Sequence, residues 1–195
     1  MRSSWRRGFN LVEAAIVLGI VGLVIGGIWV AASSIASNMK SNDAQLMFNS
    51  IVNSVYTMYG GMPTPSTNTS LDAALAAAKS VPETFINAAG NDIVNPWGGN
   101  VNVNIIANSP PVYLRVWMYS VPYGKACIDL VSRIFKTYSS VRNGEASGPT
   151  LMYLAVSTNS IMDAPGYGFE QLLNTITARC TGSGSIDISV RFNFP

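Results

Sequence analysis

The sequence predicts an α+β fold: one long N-terminal helix packed on a head built around a largely antiparallel sheet. Three observations predict it. No proline occurs before Pro63, and the stretch up to that point is first apolar all round and then apolar at three- and four-residue intervals. Later segments alternate apolar and polar residues with the period of a half-covered strand. Strands and helices follow one another without the regular β-α-β order that a parallel sheet requires.

The first element is the long helix. Between Glu13 and Lys40 lie 26 residues without a charge, and residues 14–32 are all apolar or Gly. Nineteen helical residues rise about 28 Å, close to the hydrocarbon thickness of a bilayer. Arg2, Arg6 and Arg7 precede this run without any acid, a bias that keeps the N-terminus cytoplasmic and sends the rest across the membrane. The run is longer than the apolar region of a secretory signal, and residues 32–34 match a cleavage site only weakly. Leu46, Met47, Ile51, Val52, Val55, Tyr56 and Tyr59 then form a stripe expected to pack on the head, and Gly60-Gly61 supplies a stop. From residue 11 to residue 59 such a helix measures about 73 Å. Gly19, Gly22, Gly26 and Gly27 interrupt its apolar half. They permit close helix approach, permit local extension, or reflect the ordinary glycine content of membrane helices.

The head follows a Pro/Thr/Ser loop at residues 62–70. Residues 71–79 form an alanine-rich helix with Ser70 as N-cap and Pro82 beyond its end. Asn95-Pro96-Trp97-Gly98-Gly99-Asn100 is a turn cluster leading into a strand at 101–105, and a second strand covers 113–121. Residues 126–141 read as a helix with Ile128, Val131, Ile134 and Phe135 on one side. A strand at 151–157, a helix at 169–180 and a last strand at 186–192 complete the order.

Composition removes many functions. The chain of 195 residues has no histidine, which excludes Ser-His and Cys-His nucleophiles and His-containing metal sites. Two cysteines cannot make a four-thiolate zinc site. Outside the three leading arginines, nine basic residues face ten acidic ones, so no basic face for nucleic acid is expected. No G-x-S-x-G or S-x-x-K stands out, and Gly98-Gly99-Asn100 lacks the Lys-Ser/Thr of a phosphate loop. We therefore expect no enzyme, no cofactor and no metal. Tyr123, Lys125, Tyr138 and Arg142 read as exposed residues, solvated or in subunit contacts.

Glu13 remains to be explained, because an ionised carboxylate in a spanning helix costs up to about 2.5–3.5 kcal/mol at the bilayer centre. Gly8-Phe9-Asn10-Leu11-Val12-Glu13, behind a short basic leader and ahead of an apolar helix, closely resembles the processing site of type IV prepilins. That resemblance implies a leader at residues 1–8, a membrane and fibre-core helix half at 9–39, and a head at 40–195 that includes the amphipathic half. It implies cleavage between Gly8 and Phe9 by a prepilin peptidase, N-methylation of Phe9, and pairing of the Glu13 carboxylate with the Phe9 amine of a neighbouring subunit. The implied subunit begins in the inner membrane with its head periplasmic. Pilus assembly machinery then polymerises it through its helix into an extracellular fibre. A minor pilin or a secretion pseudopilin is the alternative, as is a membrane-anchored binding protein that never polymerises.

Asn95-Pro96-Trp97-Gly98-Gly99 before a strand, Ala126-Cys127-Ile128-Asp129-Leu130-Val131 opening a helix, and a late Cys180 most resemble the type IVb pilins, although the eight-residue leader and Phe9 are more typical of type IVa. Outside the cytoplasm, an even cysteine count favours one disulfide, Cys127–Cys180, over two free thiols. In pilins such a bridge bounds an exposed lobe.

Overall fold

The computed structural model describes residues 11–63, 65–108, 111–139, 149, 151–157, 159–162 and 169–193. The chain divides into two units, Met1–Met39 and Lys40–Pro195. In the first, helix α1 (Leu11–Tyr59) runs unbroken through all four glycines, and none of residues 11–40 is buried.

In the second unit α1 continues with a buried stripe of Ser41, Ala44, Met47, Phe48, Ile51, Val52 and Val55. This corrects the expected stripe at one end: Leu46 is 63% exposed. At 100° per residue the buried positions fall within one sector and Leu46 lies opposite it, so its hydrophobicity alone misplaced it. The helix stops where expected. The Gly60 N–H still reaches the Tyr56 carbonyl at 2.8 Å, but Gly61 turns to φ +83°, a conformation that favours glycine.

Among the described residues the sheet has seven antiparallel strands: β1 (Thr69–Ser70), β2 (Ile93–Val94), β3 (Asn100–Ile106), β4 (Tyr113–Pro122), β5 (Leu151–Val156), β6 (Asn159–Met162) and β7 (Ser185–Asn193). Their order is β1-β3-β4-β7-β5-β6, and β2 also pairs with β3. Alternation does what the sequence promised. Val101, Val103 and Ile105 of β3, Leu114, Val116 and Met118 of β4, and Ile186, Ile188, Val190 and Phe192 of β7 all turn inward. Helices α2 (Asp72–Ala77), α3 (Lys125–Ser139) and α4 (Phe169–Arg179) complete the unit, with a 3-10 turn at Glu83–Phe85.

The core joins α1, α3 and the sheet through three rings. Phe48 meets Tyr138 at 6.0 Å and Phe192 at 5.8 Å, and Tyr138 meets Phe192 at 4.8 Å. The Tyr138 hydroxyl donates to Asn49 Oδ1 at 2.9 Å, and burial pushes its pKa up to about 12. Tyr138 is thus a core residue, not the exposed one expected from sequence; helical periodicity places it with Val131, Ile134 and Phe135.

Ser70 does not cap α2 either. Leu71 occupies the cap position without a side-chain bond, because the Ser70 backbone is drawn into β1 beside Asn104. The Ser70 hydroxyl donates instead to Asp72 Oδ2 at 3.0 Å, and Asp72 Oδ1 accepts the Val103 N–H. Burial raises the pKa of this half-buried carboxyl, and the Val103 and Ser70 hydrogen bonds counter part of that effect.

The turn cluster at 95–100 is a clip built on the buried side chain of Asn95. Asn95 Oδ1 accepts the N–H groups of Trp97 at 2.9 Å and Gly99 at 3.1 Å, while its Nδ2 donates to the Tyr119 carbonyl at 2.6 Å. That carbonyl sits at a slip in the β4–β7 register between Met118 and Val121, where Ser120 adopts φ +57°. A Cβ on Gly99 would lie 1.9 Å from the same oxygen, so only glycine fits. Asn95→Ala would leave two N–H groups and a carbonyl without their partner, and should cost about 3 kcal/mol in urea unfolding of the detergent-solubilised chain. A loss below about 0.5 kcal/mol, the size of an ordinary surface substitution, would contradict the clip.

Candidate functional site

The candidate assembly segment is built on the first half of α1. Its apolar side chains point outward on every side: Leu11 is 84% exposed, Trp29 is 73% exposed, and Ile16, Leu18, Leu23, Ile28, Val30, Ile35 and Met39 are all exposed. The segment is long and apolar enough to cross a membrane. A Cβ on Gly19, Gly22, Gly26 or Gly27 would meet nothing within 4 Å, so no packing within the described chain requires those glycines.

Glu13 stands in the first turn of α1 and is exposed. Gly8 and Phe9, the expected cleavage pair, lie outside the described residues. The expected contact between Phe9 and Glu13 is intermolecular and concerns a second copy.

The Cys127 and Cys180 sulfurs are bonded, 53 residues apart in sequence, and both residues are fully buried. The disulfide links the first turn of α3 to the residue just after α4. The Gly124 N–H reinforces the link by donating to the Cys180 carbonyl at 2.8 Å, and the Tyr123 N–H donates to the Gly184 carbonyl at 3.3 Å. Tyr123 is half-buried, with its ring so close that a Cβ on Gly182 would meet it at 2.8 Å. Of the other residues expected at the surface, Lys125 is exposed and Arg142 lies outside the described residues.

Among the described residues no group of three or more Cys, Asp or Glu side chains is placed to hold a metal. Sequence reasoning missed one constellation: Arg115, Trp117 and Tyr119 on β4 and Arg191 on β7 form a layer on the outward face of the sheet. The signal was present in the alternating pattern of 113–121, but only the strand register brings the two arginines together.

A family model described as Bundlin matches residues 33–161, more than half of the chain. Two curated relatives, one from Escherichia coli O127:H6 and one from Escherichia coli O111:H-, are each described as the major structural subunit of bundle-forming pilus. Each is 26% identical over 110 residues, covering 56% of this chain and 55% of the relative. The chain therefore spans about half the length of the curated relatives it matches. No solved structure matches. The family match takes in the amphipathic part of α1, the Asn95–Gly99 clip, β4 and α3, and leaves residues 1–32 and Cys180 outside it.

Removing the disulfide tests its weight in the fold. Cys127→Ser with Cys180→Ser should lower unfolding stability by about 4 kcal/mol in the chain-entropy account of a loop this long. Denaturant unfolding of the detergent-solubilised chain measures it, and a loss below about 1 kcal/mol would contradict a bridge that constrains the unfolded chain.

Proposed function

The chain belongs to the bundlin family of type IVb pilins, and from that premise we propose that it is the structural subunit of a type IV pilus. The observation that carries the reading is the first half of α1: a long helix, apolar on every side, with Glu13 as its lone charge before Lys40. Such a surface is stable only in lipid or against other apolar surfaces, and a pilin uses the two in turn. Each 100 Å² of apolar surface withdrawn from water contributes about 2.5 kcal/mol, so a few hundred Å² per helix hold a fibre together.

In this reading the precursor resides in the inner membrane with its head periplasmic. A prepilin peptidase cuts between Gly8 and Phe9 and methylates the new amine. Pilus assembly machinery then extracts the helix from lipid and adds it to the base of an extracellular fibre. Glu13 meets the Phe9 amine of a neighbouring copy. Removing one partner of a buried ion pair leaves an uncompensated charge, a cost of about 3–5 kcal/mol, so the pair sets the register of each incoming subunit. The description of the curated relatives as major subunits favours the shaft over a minor or secretion pseudopilin role.

Two measurements test this. N-terminal mass spectrometry of sheared surface material should find chains that begin at methylated Phe9 and are the dominant protein. An intact Met1 would point instead to an anchored protein that never polymerises, and a trace amount to a minor subunit. Glu13→Ala should leave the subunit in the inner membrane but lower fibre yield by about tenfold or more. A wild-type yield would remove the role given to Glu13.

A further inference from the structure

Residues 11–32 of α1 are apolar or glycine apart from Glu13, and polar residues begin at Ser33 and Ser34. That stretch of helix rises about 33 Å, against about 30 Å for the hydrocarbon core of a bilayer. Trp29 is the only aromatic residue between Leu11 and Met47, and it stands where the apolar run ends. Its side chain is 73% exposed. With the run centred in the bilayer, Trp29 lies about 11 Å from the midplane on one side and Glu13 about 13 Å on the other. Both are then within about 4 Å of a boundary of the core.

Two residues are placed to mark the outer end of the span, Ser33 and Trp29. The Ser33 hydroxyl donates to the Val30 carbonyl of its own helix at 2.9 Å, a bond that lipid does not disturb. Ser33 therefore makes little demand on its surroundings. An indole is different. Its ring is apolar, but its N–H finds no acceptor among acyl chains and finds several in headgroup oxygens and interfacial water.

The two ends of the run oppose movement in opposite directions. A slide toward the cytoplasm would draw the Trp29 N–H into hydrocarbon, and a slide toward the periplasm would carry the Glu13 carboxylate toward the bilayer centre, where it is most costly. A second copy of the chain gives no reason for the lone aromatic side chain to stand at the end of the apolar run, whereas a lipid boundary does.

Resting on the reading of α1 as the membrane span of the precursor, we infer that Trp29 is an interfacial anchor. Its indole occupies the periplasmic headgroup layer and sets the depth at which the helix waits before assembly. The test uses the full chain in cells that lack the pilus assembly machinery, opened to spheroplasts and treated with a membrane-impermeant maleimide. Cys127 and Cys180 are disulfide-bonded and no other cysteine occurs, so one introduced cysteine supplies the reactive thiol. Ser33→Cys should react and Val24→Cys should not. Adding Trp29→Ile should slow the reaction at Ser33→Cys several-fold as the helix sinks, although loss of a bulky neighbour alone would speed it. Trp29→Tyr, which keeps an amphipathic ring, should leave the rate unchanged, and Ile25→Trp with Trp29→Ile should restore it. An unchanged or faster reaction in Trp29→Ile would overturn the anchor; a loss of fibre in assembly-competent cells beside that result would assign the indole to a second copy instead. Reaction of Val24→Cys in every variant would overturn the span itself, a failure distinct from that of the anchor.

Discussion

An apolar helix surface with no cover of its own is the constraint on which the rest of the molecule depends. Residues 11–39 present leucine, isoleucine, valine and tryptophan on all sides, and none of them is buried by the described chain. Water is a poor environment for such a surface. A bilayer would cover it, and so would a bundle of like helices, so the same side chains suit both an anchor and a fibre core. The lone acid gains its meaning from this setting. Among apolar helices an ionised carboxylate requires a positive partner, and the proposed pairing with the Phe9 amine of a neighbouring copy would supply it.

The second unit, Lys40–Pro195, is held by a core of its own. The described structure shows three devices. The ring cluster of Phe48, Tyr138 and Phe192 ties α1 and α3 to the sheet. The disulfide ties the start of α3 to the end of α4. The Asn95 clip and the Asp187 carboxylate hold the β4 irregularity from two sides, one through the Tyr119 carbonyl and the other through the Ser120 N–H.

Much of this was legible from local pattern. The absence of proline before Pro63 marked the long helix, and alternation marked β3, β4 and β7, because each has one face in the core. The failures came where a neighbour, not the local sequence, decided the outcome. The strands β1 and β2 are two residues each and exist because the edge of β3 pairs with them, and β6 likewise lies at the sheet edge beside β5. Ser70 looked like a helix cap until strand pairing claimed its backbone, and Leu46 looked like core until the neighbouring buried positions set the stripe. The arginine pair was invisible for the same reason: residues 115 and 191 meet only through a strand register. The N-terminal motif is legible as a resemblance alone, and its Gly8 and Phe9 lie outside the described residues.

A helical reconstruction of sheared fibres measures the central claim most directly. The account predicts chains starting at Phe9, residues 11–39 packed along the fibre axis, and each Glu13 carboxylate within hydrogen-bond reach of the Phe9 amine of an adjacent subunit. Fibres in which that carboxylate faces solvent, or in which residues 1–8 persist, would contradict it.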